Sequence, residues 1–544
     1  MLRRRRGCKQ RWRLGSVLAE NRKKGARIVI WTIAKKEFLE KILDARVTIS
    51  FLIAITLTIV TTFVVGEDYQ TKKTAYDQAI AKAEADLKEV KVFSQYKPDL
   101  AYSPSPLIVF SRGVDLPSSI VLNIRPDWVP RYEQTTVGSN PLMRIFDTLD
   151  VATVLRILFA LLVILLTYDS FSGEKENGTL QMILSNPVSR VRVLTGKIIG
   201  ALMIVAVVAV LTFVITLIVL QAVSRIALSS GDYLRAFIIL VATLLYLAIF
   251  AILGSLASIR LHHSSTSLIV LLFLWFVVAI LQPNASTYLA SELKTVPRLE
   301  DIKPTLDAAS ESYLAELERL QGQYATILND RSRQKYIEVQ MAWGQTYLYM
   351  ALADADYEIL EYAIKQAQIY RKSVGAADGE WQLYKSLYLD KLDRQLHWKR
   401  LIDLISPAAL FTHSAAVLSR TDIDNFEDFM KQAREFRNQY IGYLDGKGVF
   451  STNAHLFFSR LTREQIDPAE TERRLAQYAK DPSTIAWIRN QPPLDLTDSP
   501  RFKTQAYAVL DDVGKAGGTL FLLILYAVVL LALSDWSLRA YDVP

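Results

Sequence analysis

Six stretches of this chain are long, apolar and nearly free of charge: residues 49–65, 151–168, 198–222, 236–259, 266–282 and 516–534. About 20 apolar residues cross the hydrocarbon core of a bilayer as a helix, and a charge at the centre of such a helix costs ~2.5–3.5 kcal/mol on insertion scales. Across all six runs the one charged residue is Arg156, near the start of the second. The chain therefore reads as an α-helical membrane protein with six transmembrane helices. An even number of spans returns the C-terminal tail, 535–544, to the side of the N-terminus.

Charge fixes which side that is. The first 48 residues hold 15 Lys and Arg against 4 Asp and Glu, a local charge of +11 in a chain whose total is +8. A basic tail beside a first span marks a cytoplasmic end. A nucleic-acid or lipid-binding arm would have the same composition, but the apolar run follows directly and favours topology. No nucleic-acid partner is expected. Both termini are then cytoplasmic, and 66–150 and 284–515 lie outside. The short inner loops, 169–197 and 260–265, carry Lys175, Arg190, Arg192, Lys197 and Arg260, as this orientation requires. The first run has no small-residue cleavage site after it and reads as an uncleaved anchor. The single cysteine, Cys8, excludes an intrachain disulfide.

Ahead of the first span, Trp31, Phe38, Leu39, Ile42 and Leu43 recur at helical spacing, with Lys35, Lys36, Glu37, Glu40, Lys41 and Asp44 on the other faces. This pattern predicts an amphipathic helix in the membrane interface, with lipid as its partner. The first outer segment predicts a polar helix over 69–92, then short strands at 107–110 and 120–124 bounded by proline, a small α+β domain. The second, from about 299 to 501, predicts a larger helical domain with periods over 302–328, 335–370 and 382–404. Its aromatics, such as Tyr336, Trp343, Tyr347 and Tyr349, read as core.

The inner loop between spans two and three is the most informative stretch. An acidic, glycine-punctuated turn, Asp169 to Gly178, leads into a short helix over 179–184, stopped by Pro187. Thr179 is placed to cap that helix, with Glu174 and Glu176 near its positive end. Composition alone would favour an ordinary polar connector.

Glu174-x-Glu176-x-Gly178-Thr179-Leu180, followed by Leu184-Ser-x-Pro187-Val-Ser-Arg190 and Gly196-Lys197, resembles the permeases of the ABC type-2 exporter family. More narrowly it resembles the subgroup that includes the nitrous-oxide-reductase maturation permease. Lys35-Lys36-Glu37-Phe38 before the first span is similar to the same family. Ser406-Pro-Ala-Ala-Leu410, with Thr421-Asp422 after it, is similar to the subgroup with enlarged periplasmic domains. The resemblance covers the membrane core well and the outer segments loosely. It implies a transport subunit of the bacterial inner membrane that works as a dimer, with a second copy or a paralogous permease. It also implies a separate ABC ATPase docking on the 169–190 loop, with Glu174, Glu176, Gly178, Thr179 and Leu180 as contacts. A periplasmic partner protein would bind the outer segments. Because the two carboxylates lie in a polar loop outside the lipid, reversing their charges is expected to disturb docking and leave folding intact.

The chain's own residues point away from ATP hydrolysis. A phosphate-cradling loop needs Gly-x-x-x-x-Gly-Lys followed by Ser or Thr. Gly196-Lys197 has Val191 and Ile198 at the required places, while Gly446-Lys447 and Gly514-Lys515 are followed by Gly448 and Ala516. No cofactor is expected in this chain, and ATP belongs to the partner. Adjacent His262 and His263 face different ways and make a poor metal pair. No nucleophile triad can be read around His413. The spans hold almost no ionisable residues, which disfavours an ion-coupled carrier. Arg156 reads as a boundary residue snorkelling to the outer surface. The competing function class is a membrane-anchored receptor or scaffold that binds a partner through its outer domains. An inner signalling domain would favour that class, and none is visible.

Overall fold

A computed structural model describes residues 29–42, 44–113, 121–131, 149–185, 188–222, 224–326, 337–342, 345–350, 357–456, 492–503 and 508–541, together with 467, 469 and 473. Cys8, Pro187, Tyr336 and Trp343 lie outside these residues. Among the described residues, six helices are long and apolar enough to cross a membrane. The first helix, α1 (29–42), precedes them. Span one belongs to α2 (Ala45–Glu89), span two to α3 (151–167), and span three to α6 (Arg190–Ala222). Between spans two and three lie two short helices, α4 (Ser172–Glu176) and α5 (Thr179–Leu184). Spans four and five are α7 (Ser230–Arg260) and α8 (Ser264–Leu293). Between spans five and six lie α9 (Leu299–Gln323), α10 (357–403), α11 (Pro407–Ser419) and α12 (Ile423–Gly446), and span six is α13 (Val509–Arg539).

The polar helix expected over 69–92 is the continuation of span one. Nothing in 66–69 breaks a helix, so α2 runs 45 residues, about 68 Å, through the apolar span and on into the polar segment that follows it. The predicted strand at 107–110 is instead a 3₁₀ turn. Ser105 caps it by accepting from Leu107 N, and Pro106 opens it. Its apolar residues pack into the membrane bundle, where Phe110 stacks on Phe213 at 5.0 Å. The strands that form here are β1 (Asp99–Ala101) and β2 (Val121–Asn123), paired antiparallel.

A second correction falls at 335–370, expected to be helical. Ile337–Ala342 and Gln345–Met350 pair as an antiparallel hairpin, β3 and β4, and the helix begins at Tyr357. Alternation in Ile337-Glu-Val339-Gln-Met341 has period two, and Tyr347 and Tyr349 suit strands, so the helical periodicity further on had been extended too far.

The two outer segments share one core. Phe93, Tyr96, Leu100 and Leu122 of the first pack with Phe426, Phe429, Phe436 and Tyr440 of the second. Arg437 ties them: it donates to Asp378 Oδ1 at 2.9 Å and to the Pro126 carbonyl. Helix α11 does not stand in this outer body. Its apolar residues Ala408, Phe411 and Ala415 belong to the membrane core, against spans four and six. Ser406 at its start donates to the Val278 carbonyl of span five at 3.0 Å. Tyr526 of span six donates to the Leu404 carbonyl at 2.8 Å.

Candidate coupling site

Around the loop between spans two and three, helix starts leave unpaired N–H groups and helix ends leave unpaired carbonyls. Charged side chains of the loop between spans two and three meet several of them. Glu176 accepts from Ser264 N at 3.1 Å and Ser264 Oγ at 2.8 Å, capping the start of α8, with His263 Nδ1 3.3 Å away. Lys175 donates to the carbonyls of Ser258, Ile259 and Leu261 at the end of α7. Arg190 donates to Leu538 O, Arg539 O and Tyr541 O at the end of α13. Anions at helix starts and cations at helix ends also suit the macrodipole.

Glu174 takes a different partner. Its Oε1 lies 2.7 Å from Lys197 Nζ on α6, and the same ammonium lies 2.7 Å from Glu37 Oε1 on α1. Lys41, one turn after Glu37, donates to the Leu166 carbonyl and to Ser170 Oγ at 3.1 Å, and stands 3.6 Å from Asp169. Lys197 is 5% exposed and Glu37 6%. The loop, α1 and span three are thus joined by buried ion pairs. Sequence reasoning put Lys197 at the membrane boundary and read Glu37 only as part of a polar face. The missed signal was the pairing of opposite charges on two helices that each bury one side.

Close approach of α1 to α6 makes that pairing possible. A Cβ on Gly196 would lie 2.8 Å from Ile33 Cβ, and one on Gly200 would lie 2.6 Å from Glu37 Cβ and 2.9 Å from the Ala34 carbonyl. Gly196 and Gly200, four apart, form a small-residue stripe that lets two backbones touch. Gly196 therefore has a packing role, not a phosphate-binding one. On its other side α1 leaves Trp31, Leu39 and Ile42 exposed, the apolar face expected for the interface.

The five proposed contact residues separate. Helix α5 forms at the expected residues, but Thr179 does not cap it. Gly178 is the cap residue, at φ 71°, a left-handed conformation that glycine adopts without strain. Leu180 is buried in the membrane core cluster. Glu174 is partly buried on Lys197, so reversing it would break a buried ion pair; folding and docking effects do not separate at that residue. Gly178, Thr179 and the Glu176 edge are exposed, as are Asn177, Gln181 and Met182, the last at 70%. The outward strip is polar and glycine-containing with one large apolar side chain at its centre, on a support tied to four spans and α1. Such a strip can receive a partner and pass a rigid-body displacement to the helices behind it.

Among the described residues no cluster of three metal-ligating side chains occurs. No curated protein matches the chain. The family model described as ABC-2 family transporter protein matches residues 31–543, nearly the whole chain, and on that match the chain belongs to the ABC-2 transporter family, as a multi-pass permease subunit of an ABC transporter.

Proposed function

We propose that this permease is an exporter subunit driven by a separate ABC ATPase that docks on the exposed strip from Glu176 to Met182. It works as a dimer with a second copy or a related permease, both termini on the ATPase side of the bacterial inner membrane. The finer resemblance, to permeases with enlarged periplasmic domains such as the nitrous-oxide-reductase maturation subunit, belongs to this proposal. The observation that carries it is the division of labour in the 169–190 loop. Glu174, Lys175, Glu176 and Arg190 are turned onto helix ends and Lys197, while Gly178, Thr179, Gln181 and Met182 face away from the bundle. A connector with no partner has no need of so rigid a support under an exposed apolar side chain.

A load applied at the strip has a path to the outside. It passes through Glu174 and Lys197 to α1, and from α1 across residue 44 into the 45-residue α2 that enters the outer core.

The test compares Met182→Asp with wild type in the presence of the cognate ATPase. Met182 is exposed, so the substitution should leave the thermal midpoint of the purified permease unchanged; exposed sites usually shift stability by ~0.5 kcal/mol or less. An aspartate placed at the centre of a docking surface should weaken ATPase association at least tenfold and abolish stimulated ATP turnover. Normal association and turnover in the Met182→Asp permease would remove the strip from the docking surface and leave the loop a connector.

A further inference from the structure

Three cations converge on the C-terminal end of α13. Arg190 Nη1 donates to Leu538 O at 2.8 Å, Arg539 O at 2.9 Å and Tyr541 O at 2.8 Å. Lys175 Nζ, which donates to carbonyls at the end of α7, stands 4.9 Å over the Tyr541 ring. Arg260, the last residue of α7, donates to Ser537 Oγ at 2.8 Å and lies 5.1 Å over the Trp536 ring. A helix end leaves four carbonyls without intrahelical partners, and water satisfies them where the end is open. Here side chains of the loop between spans two and three do so instead. In sequence, the strip from Glu176 to Met182 lies between Lys175 and Arg190, the loop's two grips on α13.

Beyond that end α13 is one unbroken α-helix of 31 residues, about 46 Å, with no proline to kink it. Spans two and five differ: each contains a π turn, Leu155–Phe159 and Phe276–Leu281. Side chains of other elements take carbonyls there. Tyr246 donates to Arg156 O at 2.8 Å, Trp275 Nε1 to Ile157 O at 3.1 Å, and Ser406 to Val278 O. Helix α13 is fastened to α7 near both of its ends, by Arg260 on Ser537 and by the buried pair of Arg235 Nε and Asp512 Oδ2 at 2.8 Å. Two helices fixed to each other at both ends resist sliding and move as one body. Thr519 shares a hydrogen bond with Ser414 of α11 at 2.7 Å. Near the start of α13, Lys515 donates to Asp428 of α12 at 3.0 Å. Helix α12 in turn carries Phe426, Phe429 and Tyr440 into the core shared with the first outer segment.

We propose that Arg190 is a positioning residue for ATP-driven transport: it fastens the docking strip to α13, so that a displacement of the strip is carried by the α7–α13 pair to α12. The inference rests on the proposed docking of an ATPase at the strip. It adds a second route to the one through Lys197, α1 and α2, and the two share only the loop itself. The guanidinium suits the task because it stays charged and presents its donors in a fixed plane, whereas Arg190→Lys offers a point charge on a flexible stem. Contiguous contacts do not by themselves establish coupling. The quantity to measure is therefore the response of α12 to an event at the strip.

The experiment uses the full-length permease with its cognate ATPase in nanodiscs. It follows amide hydrogen exchange over residues 423–446 and 536–541, with and without a non-hydrolysable ATP analogue, beside ATPase association and ATP turnover. In wild type the analogue should change exchange over 423–446 about tenfold, the scale of a typical coupling between sites. Arg190→Gln should bind the ATPase within about twofold of wild type and lose both that response and the stimulated turnover. Arg190→Lys should keep part of each. Lys515→Gln, at the other end of α13, should weaken the response over 423–446 and leave that over 536–541 unchanged. If Arg190→Gln does not fold, a full response over 423–446 in both Arg190→Lys and Lys515→Gln overturns the proposal. A merely structural arginine would lower the thermal midpoint in Arg190→Gln and leave the response to the analogue intact, which also overturns it. So does a wild type without a response over 423–446, or loss of ATPase association in Arg190→Gln, which would make Arg190 a docking contact. Unchanged association in Met182→Asp strikes the docking reading and this inference with it. Lost association in Met182→Asp beside a full response in Arg190→Gln overturns this inference alone.

Discussion

Lys197 on α6 holds Glu174 on α4 at 2.7 Å, and the same ammonium holds Glu37 on α1. One buried cation therefore joins three elements, near the start of α6 and behind the strip proposed to meet the ATPase.

Removing that cation takes the counter-ion from Glu174 and leaves Glu37 only the more distant Lys41, at 3.9 Å. Breaking a buried pair by deleting one partner costs about 3–5 kcal/mol, because the charge left behind has lost its solvent and its counter-ion. Lys197→Met is expected to lower the thermal midpoint of the detergent-purified permease markedly. Combining it with Glu37→Gln and Glu174→Gln should restore most of the loss, since the two carboxylates that Lys197 held are then neutral and Lys41 keeps Asp169 at 3.6 Å. A Lys197→Met midpoint equal to wild type would show that the three charges are independent.

The seat of α1 is tested at Gly200. A methyl group there meets Glu37 Cβ and the Ala34 carbonyl below contact distance, so α1 must lift away. Amide hydrogen exchange over residues 29–42 is expected to quicken at least tenfold in Gly200→Ala, a shift of the opening equilibrium by ~1.4 kcal/mol. Gly178→Ala is the control. It costs only the strain of a positive φ, ~1–2 kcal/mol, meets nothing within 4 Å, and should leave α1 exchange unchanged. Equal exchange in the wild type and Gly200→Ala would mean that α1 has another anchor.

Stability should fall as pH rises at one site ahead of α12. Asp422 precedes α12 and is buried, and its Oδ2 has no hydrogen-bond partner among the described residues. Burial, then the neighbouring charge of Asp424, pushes its carboxyl up to about 6 from 3.8; Asp512 adds to the rise and Lys515 opposes it. In the folded chain the proton is retained where the unfolded chain has lost it. The site's stability is thus fully present below pH ~4 and is lost as pH rises through 6, by on the order of 2–3 kcal/mol. His455 runs the other way. Its burial lowers it to about 4 from 6.5, so its contribution is lost as pH falls through that window. Comparing wild type with Asp422→Asn cancels the histidine. The two should unfold alike near pH 4, and Asp422→Asn should be the more stable at pH 7. A constant difference between them across pH 4–7 would show that Asp422 does not titrate in that window.

The same loop separates two kinds of acidic residue. Glu176→Gln should loosen the start of α8 only slightly, because Glu176 is exposed and its lost bonds to Ser264 can be replaced by water. Glu174→Gln leaves a buried lysine with one partner fewer and should cost more. Unfolding of the two single variants in one detergent orders them, and the reverse order would contradict the burial pattern at Lys197.

The spans were legible in the sequence because burial in hydrocarbon needs continuous apolarity, which is local and strong: six runs stand out by composition, and six long apolar helices are found among the described residues. Helix α5 was legible for a similar reason, since its start and end are set within a few residues. The sequence alone also showed that Gly196-Lys197, Gly446-Lys447 and Gly514-Lys515 do not have the spacing and following hydroxyl of a phosphate-cradling loop. What it did not carry was partnership. The preference of Glu174 for Lys197 over solvent depends on two glycines that let α1 approach span three. The strand at β1 depends on a mate 20 residues away, so the turn at Ser105-Pro106 and the true pair were not visible in local alternation. Helix α11 has the length and composition of an outer-domain helix. Only the π turns of spans two and five, with the donors that satisfy them, show it seated in the bundle. Interactions between neighbours in sequence leave a pattern in the sequence; hydrogen bonds and ion pairs between distant segments are decided when the chain packs.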